Sequence, residues 1–343
     1  MAESTWVIVA VGIGAVVAGA GLFYAALPWL AQPMLRLILR GRYRVKVLGK
    51  EHIPPTGPVL VVANHVSWLD GFLLAGFTPR RGKAMVNQAL VSGPVVRQLA
   101  RRAGIIGTPY KGPKAIRAAL AAGRGVLAEG DALGVFAEGQ ISRNGFLGPF
   151  QRGIEAMLDG DDTIPVIPAA IDNVWGSFFS WAGGGFFRNK PKGWRHTVIL
   201  AFGPAVPPPV TAFKARQAVL EQWVVARKAL GRPGHPFDSI DPALPSWRHP
   251  DLGLLTASCV EINIPSADVR QRGSKPGSCG MAVPGVAVRA VDDQGSPLPP
   301  EAVGRLEALT PATSGWVDTG RRGSIDRDGF VRLDAPDPEA AAP

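Results

Sequence analysis

From Trp6 to Leu30 the chain carries no charged side chain, and Val, Ala, Gly, Leu and Ile fill most positions. Crossing a hydrocarbon core of roughly 30 Å takes about 20 such residues in a helix. The run therefore predicts an N-terminal transmembrane helix over residues 1–31. Behind it come Arg36, Arg40, Arg42, Arg44 and Lys46, against a lone Glu3 ahead of it. That asymmetry predicts a single-pass protein of the inner (cytoplasmic) membrane, with the rest of the chain facing the cytoplasm. A cleaved signal peptide would carry a basic segment before the apolar run, and none stands there. The 343 residues sum to a formal charge of +10. Such a surplus suits anionic membrane lipids as partners. No nucleic-acid partner is expected, because stripes of interleaved basic and aromatic residues are missing.

Beyond the apolar run, short β-rich segments alternate with longer amphipathic ones. Pro58–Ala63 (PVLVVA), Gly134–Ala137, Ile164–Ile171 and Val198–Phe202 read as buried strands. Gly112–Gly123 and Ala212–Leu230 have helical spacing, the first with Gly123 as its stop. The alternation predicts an α/β domain over 32–232, a mostly parallel central sheet flanked by helices. Residues 233–252, rich in Pro, Asp, Gly and Ser, read as a linker. Short alternating strands then return, with turn signals at Asp293-Gln294-Gly295 and Asp328-Gly329. They predict a small β-rich C-terminal module over 253–334, followed by a disordered tail at 335–343. The two cysteines, Cys259 and Cys279, fit neither a zinc pattern nor a disulfide framework.

The sharpest chemical feature is Asn64-His65-Val66-Ser67-Trp68-Leu69-Asp70, directly after a predicted buried strand. A parallel sheet exposes its active edge at strand C-termini. Ser67 is placed to cap the helix that follows, with Asp70 at the capping-box offset. Asp70 then reaches back toward His65 Nδ1, fixing the imidazole tautomer and leaving Nε2 to take a proton. Such a base removes an alcohol proton, a step worth about two to four orders of magnitude in rate. The bland alternative is that Asp70 only caps and His65 is a core histidine. A second block, Val135 to Arg143 (VFAEGQISR), again runs from a strand into a polar turn. Glu138 brings a carboxylate to the same edge, and Gly139 permits close backbone approach. Arg143 and Arg152 follow as candidates to pair with a phosphate. The third block, Ile164–Ala170, reads as an apolar wall for an acyl chain or as an ordinary buried strand.

The ordered set Asn-His-x-Ser-x-x-Asp, Phe-x-Glu-Gly and Val-Ile-Pro resembles the glycerolipid (lysophosphatidate/lysophospholipid) acyltransferase family. The resemblance runs from about Arg44 to Leu230. It implies His65 as general base and Asp70 as its orienting partner. Asn64, Ser67, Glu138, Gly139, Arg143 and Arg152 would then bind substrate. Gly104, Ile105 and Ile106 would fall in the acceptor loop, and amides near Gly139 would meet the oxyanion. The implied reaction moves a fatty acyl group from acyl-ACP or acyl-CoA to the hydroxyl of a lysophospholipid or 1-acylglycerol-3-phosphate. It needs no cofactor beyond that donor, so acyl carrier protein or a CoA thioester is the implied partner. Three positions depart from the family pattern: Ala137 replaces a common proline, Ile141 replaces an arginine, and no arginine stands near Thr108 or Pro109.

The tract from Asn173 through Phe187 to Phe213 resembles the acyltransferase module of bacterial fusions to an acyl-ACP synthetase. Gly253–Asn263, Lys275–Gly280, Pro284–Val286, Trp316–Gly320 and Asp326–Phe330 resemble the acyl-adenylate-forming family itself. Leu255-Thr256 and Thr319-Gly320-Arg321 have lost the family's carboxylates there. The resemblance implies a remnant without adenylation activity. A non-catalytic, membrane-bound module binding lipid or acyl carrier protein is the alternative reading, and the intact His65/Asp70 pair argues against it.

Overall fold

A computed structural model describes residues 2–108, 112–190, 195–231, 240–267 and 269–334. The tail read as disordered, 335–343, lies outside the described residues, as do 233–239 of the segment read as a linker.

Helix α1 (Ala2–Arg42) is long and apolar enough to cross a membrane, and runs unbroken through Pro28 and Pro33. It continues past residue 31 because its second half has a protein partner. Leu35 and Leu39 close over Gly76, Arg36 Nε donates to the Gly76 carbonyl at 2.8 Å, and Gln32 Nε2 to that of Thr78 at 2.8 Å. The side chains described between Val11 and Phe23 are exposed.

The α/β body follows as β1 (Tyr43–Leu48), β2 (Val59–Ala63), α2 (Asp70–Phe77), β3 (Lys83–Asn87), α3 (Pro94–Arg102) and β4 (Ile105–Thr108). It goes on with α4 (Pro113–Ala128), β5 (Ala132–Phe136), α5 (Gly153–Leu158), β6 (Val166–Asp172), β7 (His196–Phe202) and α6 (Ala212–Leu230). The strands form one sheet in the order β1-β7-β6-β2-β5-β3-β4. From β6 to β4 the strands are parallel; β7 is antiparallel to β6, and β1 is parallel to β7. This is the mostly parallel α/β sheet that the alternation predicts. The chain leaves β2 toward β3, and leaves β5 across β2 toward β6. The ends of these two neighbours, paired Ala63 to Phe136, thus open where connections diverge, the usual place for a ligand crevice.

Two expectations need correction. Gly123 does not stop its helix, since α4 runs through it to Ala128. A Cβ there would lie 2.9 Å from Met157 Sδ and 3.3 Å from Leu133 Cδ2, so glycine is needed for α4 to pack against α5 and β5. The third block offers no wall to an acyl chain. Its strand β6 is buried along its whole length in mid-sheet, because helices cover both faces of such a strand.

Past α6, β8 (Ser246–His249) lies inside the segment read as a linker and pairs with β9 (Gly253–Ala257). Then come the hairpin β10 (Ile262–Ile264) and β11 (Val269–Gln271), the short β12 (Met281–Ala282) beside β9, and an antiparallel meander. The meander is β13 (Ala287–Val291), β14 (Gly304–Leu309), β15 (Val317–Ile325) and β16 (Val331–Leu333). One apolar cluster joins this β-rich module to the α/β body, from Val219 and Trp223 of α6 to Leu255 and Phe330.

Candidate active site

The peptide turns sharply after β2 because Asp70 gathers it. Asp70 is fully buried. Its Oδ2 accepts the backbone N–H of Val66 at 2.6 Å and of Ser67 at 2.8 Å, and Oδ1 accepts the Ser67 hydroxyl at 2.9 Å. The same Oδ2 lies 3.0 Å from His65 Nδ1. An oxygen already receiving two N–H donors acts as an acceptor, so the imidazole proton is on Nδ1 and the Nε2 lone pair is free. The ring stacks on Phe136, centroids 4.0 Å apart and 13° from coplanar, and the side chain is 17% exposed. The imidazole is thus held on one face by Phe136 and at Nδ1 by Asp70. Ser67 contributes differently from the capping role expected of it. Its hydroxyl accepts the Leu69 N–H and binds Asp70, which is itself the first helical residue.

The second block closes on the first across neighbouring strands. Glu138 Oε1 accepts the His65 N–H at 2.8 Å, and Oε2 accepts the Gly148 N–H at 2.9 Å. The Ser142 N–H in turn donates to the His65 carbonyl at 2.6 Å. Glu138 therefore staples the histidine loop to the 138–148 loop. Burial pushes its carboxyl up to about 8, against the opposing pull of the Gly148 and His65 amides and the Arg216 charge. The folded protein then holds a proton on Glu138 between about 4.5 and about 8 that the unfolded chain has released. This contribution to stability is full below about 4.5 and is lost as pH rises through about 8. Thermal melting from pH 5 to 8 should show Tm falling less steeply in Glu138→Gln than in the native protein. Equal slopes would place the ionised carboxylate in the fold.

The other residues named from sequence fall into three places. Asn64 is buried and bridges to β6, donating to the Ile171 carbonyl and accepting its N–H, so its amide is spent on strand alignment. Gly139 has φ +72°, as its turn demands, but its N–H donates to the Phe136 carbonyl at 3.1 Å rather than pointing to a ligand. Arg143 lies over Trp181 and Phe186, 4.9 and 5.6 Å from the ring centroids. Arg152, at the N-cap of α5, has an 82% exposed side chain and pairs with Glu155 in the first turn of that helix. Ile105 and Ile106 sit in the edge strand β4, separated from β2 by β5 and β3.

Sequence reasoning missed Phe136 as the stacking partner and Arg216 as a support. Arg216 is 1% exposed, and donates from Nε to the Gly148 carbonyl at 3.0 Å and from NH2 to that of Leu147 at 2.7 Å. It was findable, because Ala212, Arg216, Val219, Leu220 and Trp223 lie on one helical stripe that is otherwise apolar. An aromatic group also flanks the site: the Trp68 backbone N–H donates to the Phe179 carbonyl, and the Trp68 ring meets Phe186 edge-on at 5.9 Å.

Residues 44–172 match the family model described as Acyltransferase. Mouse 1-acyl-sn-glycerol-3-phosphate acyltransferase alpha is 31% identical over 142 residues, 40% of this chain and 50% of that protein. The fatty acid–[acyl-carrier-protein] ligase ScoC of Streptomyces coeruleorubidus is 32% identical over 95 residues, 23% of this chain and 18% of that protein. The chain thus spans half the length of the first relative and under a fifth of the second. The crystal structure of the 1-acyl-sn-glycerophosphate acyltransferase PlsC from Thermotoga maritima aligns with 62% of this chain and 81% of its own, at 23% identity and a TM-score of 0.44.

Proposed function

We propose that this chain, which carries an acyltransferase-family domain over residues 44–172, is a membrane-associated O-acyltransferase that acylates the free hydroxyl of a lysophospholipid or 1-acylglycerol-3-phosphate. The observation that carries the reading is the 3.0 Å contact between His65 Nδ1 and an Asp70 carboxylate already fixed by two backbone amides. Nε2 accepts the proton of the lipid hydroxyl as that oxygen bonds to the thioester carbonyl carbon. Asp70 balances the charge that appears on the imidazolium, lowering the barrier without moving. The C–S bond then breaks, and His65 returns the proton to the departing thiolate of CoA or acyl carrier protein. The acyl group has exchanged sulfur for oxygen, and the base is regenerated.

The apolar helix α1 brings the crevice to a bilayer, where both the acceptor and the acyl chain reside. Basic residues behind its apolar run favour a single-pass arrangement in the inner membrane with the domain in the cytoplasm. Membranes holding the native protein should move label from acyl-CoA or acyl-ACP into a diacyl lipid when given lysolipids, and His65→Ala membranes should not. Equal incorporation by both, with the variant present and folded, leaves a lipid- or carrier-binding module in place of an enzyme.

A further inference from the structure

The hairpin β10–β11 of the C-terminal module does not stand clear of the site loops. Gln271 spans them with its amide: Oε1 accepts the Arg143 N–H at 2.7 Å, and Nε2 donates to the Ile141 carbonyl at 2.8 Å. Gln140 Nε2 reaches the Arg270 carbonyl from the other side at 3.5 Å. Between hairpin and loop lies a cleft of about 260 Å³, lined on one side by Gln140, Phe146 and Gly148 and on the other by Arg270, Arg272 and Phe330. Two carboxyls, Glu138 and Asp328, also face it. Asp328 is held by Lys275 Nζ at 2.7 Å, and Glu138 by two amide N–H donors. Beneath the cleft the buried Arg216 touches Gly148. The Arg270 side chain is 68% exposed, and its NH2 lies 3.5 Å from Glu261 Oε1.

We propose that Arg270 and Arg272, carried by the β11 end of the C-terminal module, form a phosphate-binding subsite against the 138–148 loop. Two guanidinium forks on one short stretch offer the planar, paired N–H donors that a phosphate accepts. The cleft has room for a phosphate group, and its far wall is the loop that holds the His65 backbone through Glu138 and Ser142. The adenylate-forming-like module is then a wall of the acyl-transfer site, and the Gln271 latch sets its register. That the phosphate is a substrate's rests on the acyl-transfer reading; that the cleft binds one does not.

Binding should be measured on the full chain in detergent with two matched pairs of probes. Oleoyl-lysophosphatidate and monoolein differ by one phosphate, and palmitoyl-CoA carries a triply phosphorylated nucleotide end that palmitoyl-N-acetylcysteamine lacks. The native protein should prefer at least one phosphate-bearing member by about ten- to a hundredfold. Arg270→Ala/Arg272→Ala should erase that preference, and Arg270→Lys/Arg272→Lys should keep part of it. Loss confined to the first pair assigns the subsite to the acceptor, and loss confined to the second assigns it to the donor. An unchanged preference in the alanine variant, or equal weakening of phosphate-free probes, overturns the inference. Both side chains project from the surface, so native melting of the variants is expected. If binding follows this pattern while His65→Ala leaves acyl transfer unchanged, the subsite stands and the proposed function falls.

Discussion

Asparagine in place of Asp70 should lower acyl transfer by about two to four orders of magnitude while the protein keeps its melting temperature within a few degrees. The substitution preserves shape. Its carbonyl oxygen takes the place of Oδ2 and still accepts the Val66 and Ser67 N–H groups, and the Ser67 hydroxyl turns to accept from the new amide. What disappears is the negative charge 3.0 Å from His65 Nδ1. An imidazolium formed in the transition state then has no buried counter-charge, so the penalty falls on the rate rather than on the fold. Alanine at the same position acts differently. It strands three donors on Val66 and Ser67, both buried, at about 1–3 kcal/mol each, so the melting temperature should fall along with the activity. Initial rates and thermal melts of the two variants separate the roles. Native turnover in Asp70→Asn would remove His65 from the chemistry, because an imidazole that needs no counter-charge is not gaining a proton.

The parts of this molecule legible in the sequence are those written in local periods. Strand β2 appears as PVLVVA because a mid-sheet strand is apolar on both faces, and the His65–Asp70 contact spans only one turn of chain. Helix α6 is equally plain, with Thr211 accepting the Lys214 N–H at one end and Gly231 at φ +68° closing the other. What hid were decisions taken at long range. Glu138 reads as a substrate ligand in the sequence, while its two oxygens accept from His65 and Gly148, 73 and 10 residues away. Asn64 reads as available from its neighbours in sequence, while both halves of its amide bond to Ile171, 107 residues on. Gly123 reads as a helix stop because nothing nearby in sequence reveals Met157 behind it. Strands β3 and β4, at one edge of the sheet, carry half-exposed residues with no clean period for a sequence to display. The wall contributed by Gln271 depends on a module that begins more than a hundred residues after the loop it grips.

Arg216→Ala should cost the fold about 3–5 kcal/mol, the range for removing one partner from a buried charge network, and should loosen the C-terminal module first. The guanidinium is fully enclosed, and burial lowers its affinity for a proton to about 10 against the support of Glu138, Asp326 and Asp328. Its Nε and NH2 satisfy the Gly148 and Leu147 carbonyls, the loop whose Gly148 N–H holds Glu138. On its far side lies the turn at Asp326–Gly329. Gly329 has φ +92°, and a Cβ there would collide with the Arg216 guanidinium. The arginine therefore keys three things into one another: α6, the loop behind His65, and the β15–β16 turn. This makes a signed test available. Gly329→Ala should destabilise the native protein strongly, through backbone strain and the collision together. In an Arg216→Ala background the collision is gone and only the strain remains, so the double variant should lose less than the sum of the two single losses. Denaturant unfolding of the four proteins measures that coupling. Strict additivity would mean that the turn does not rest on Arg216, and the C-terminal module would then be held to the α/β body by its apolar contacts alone.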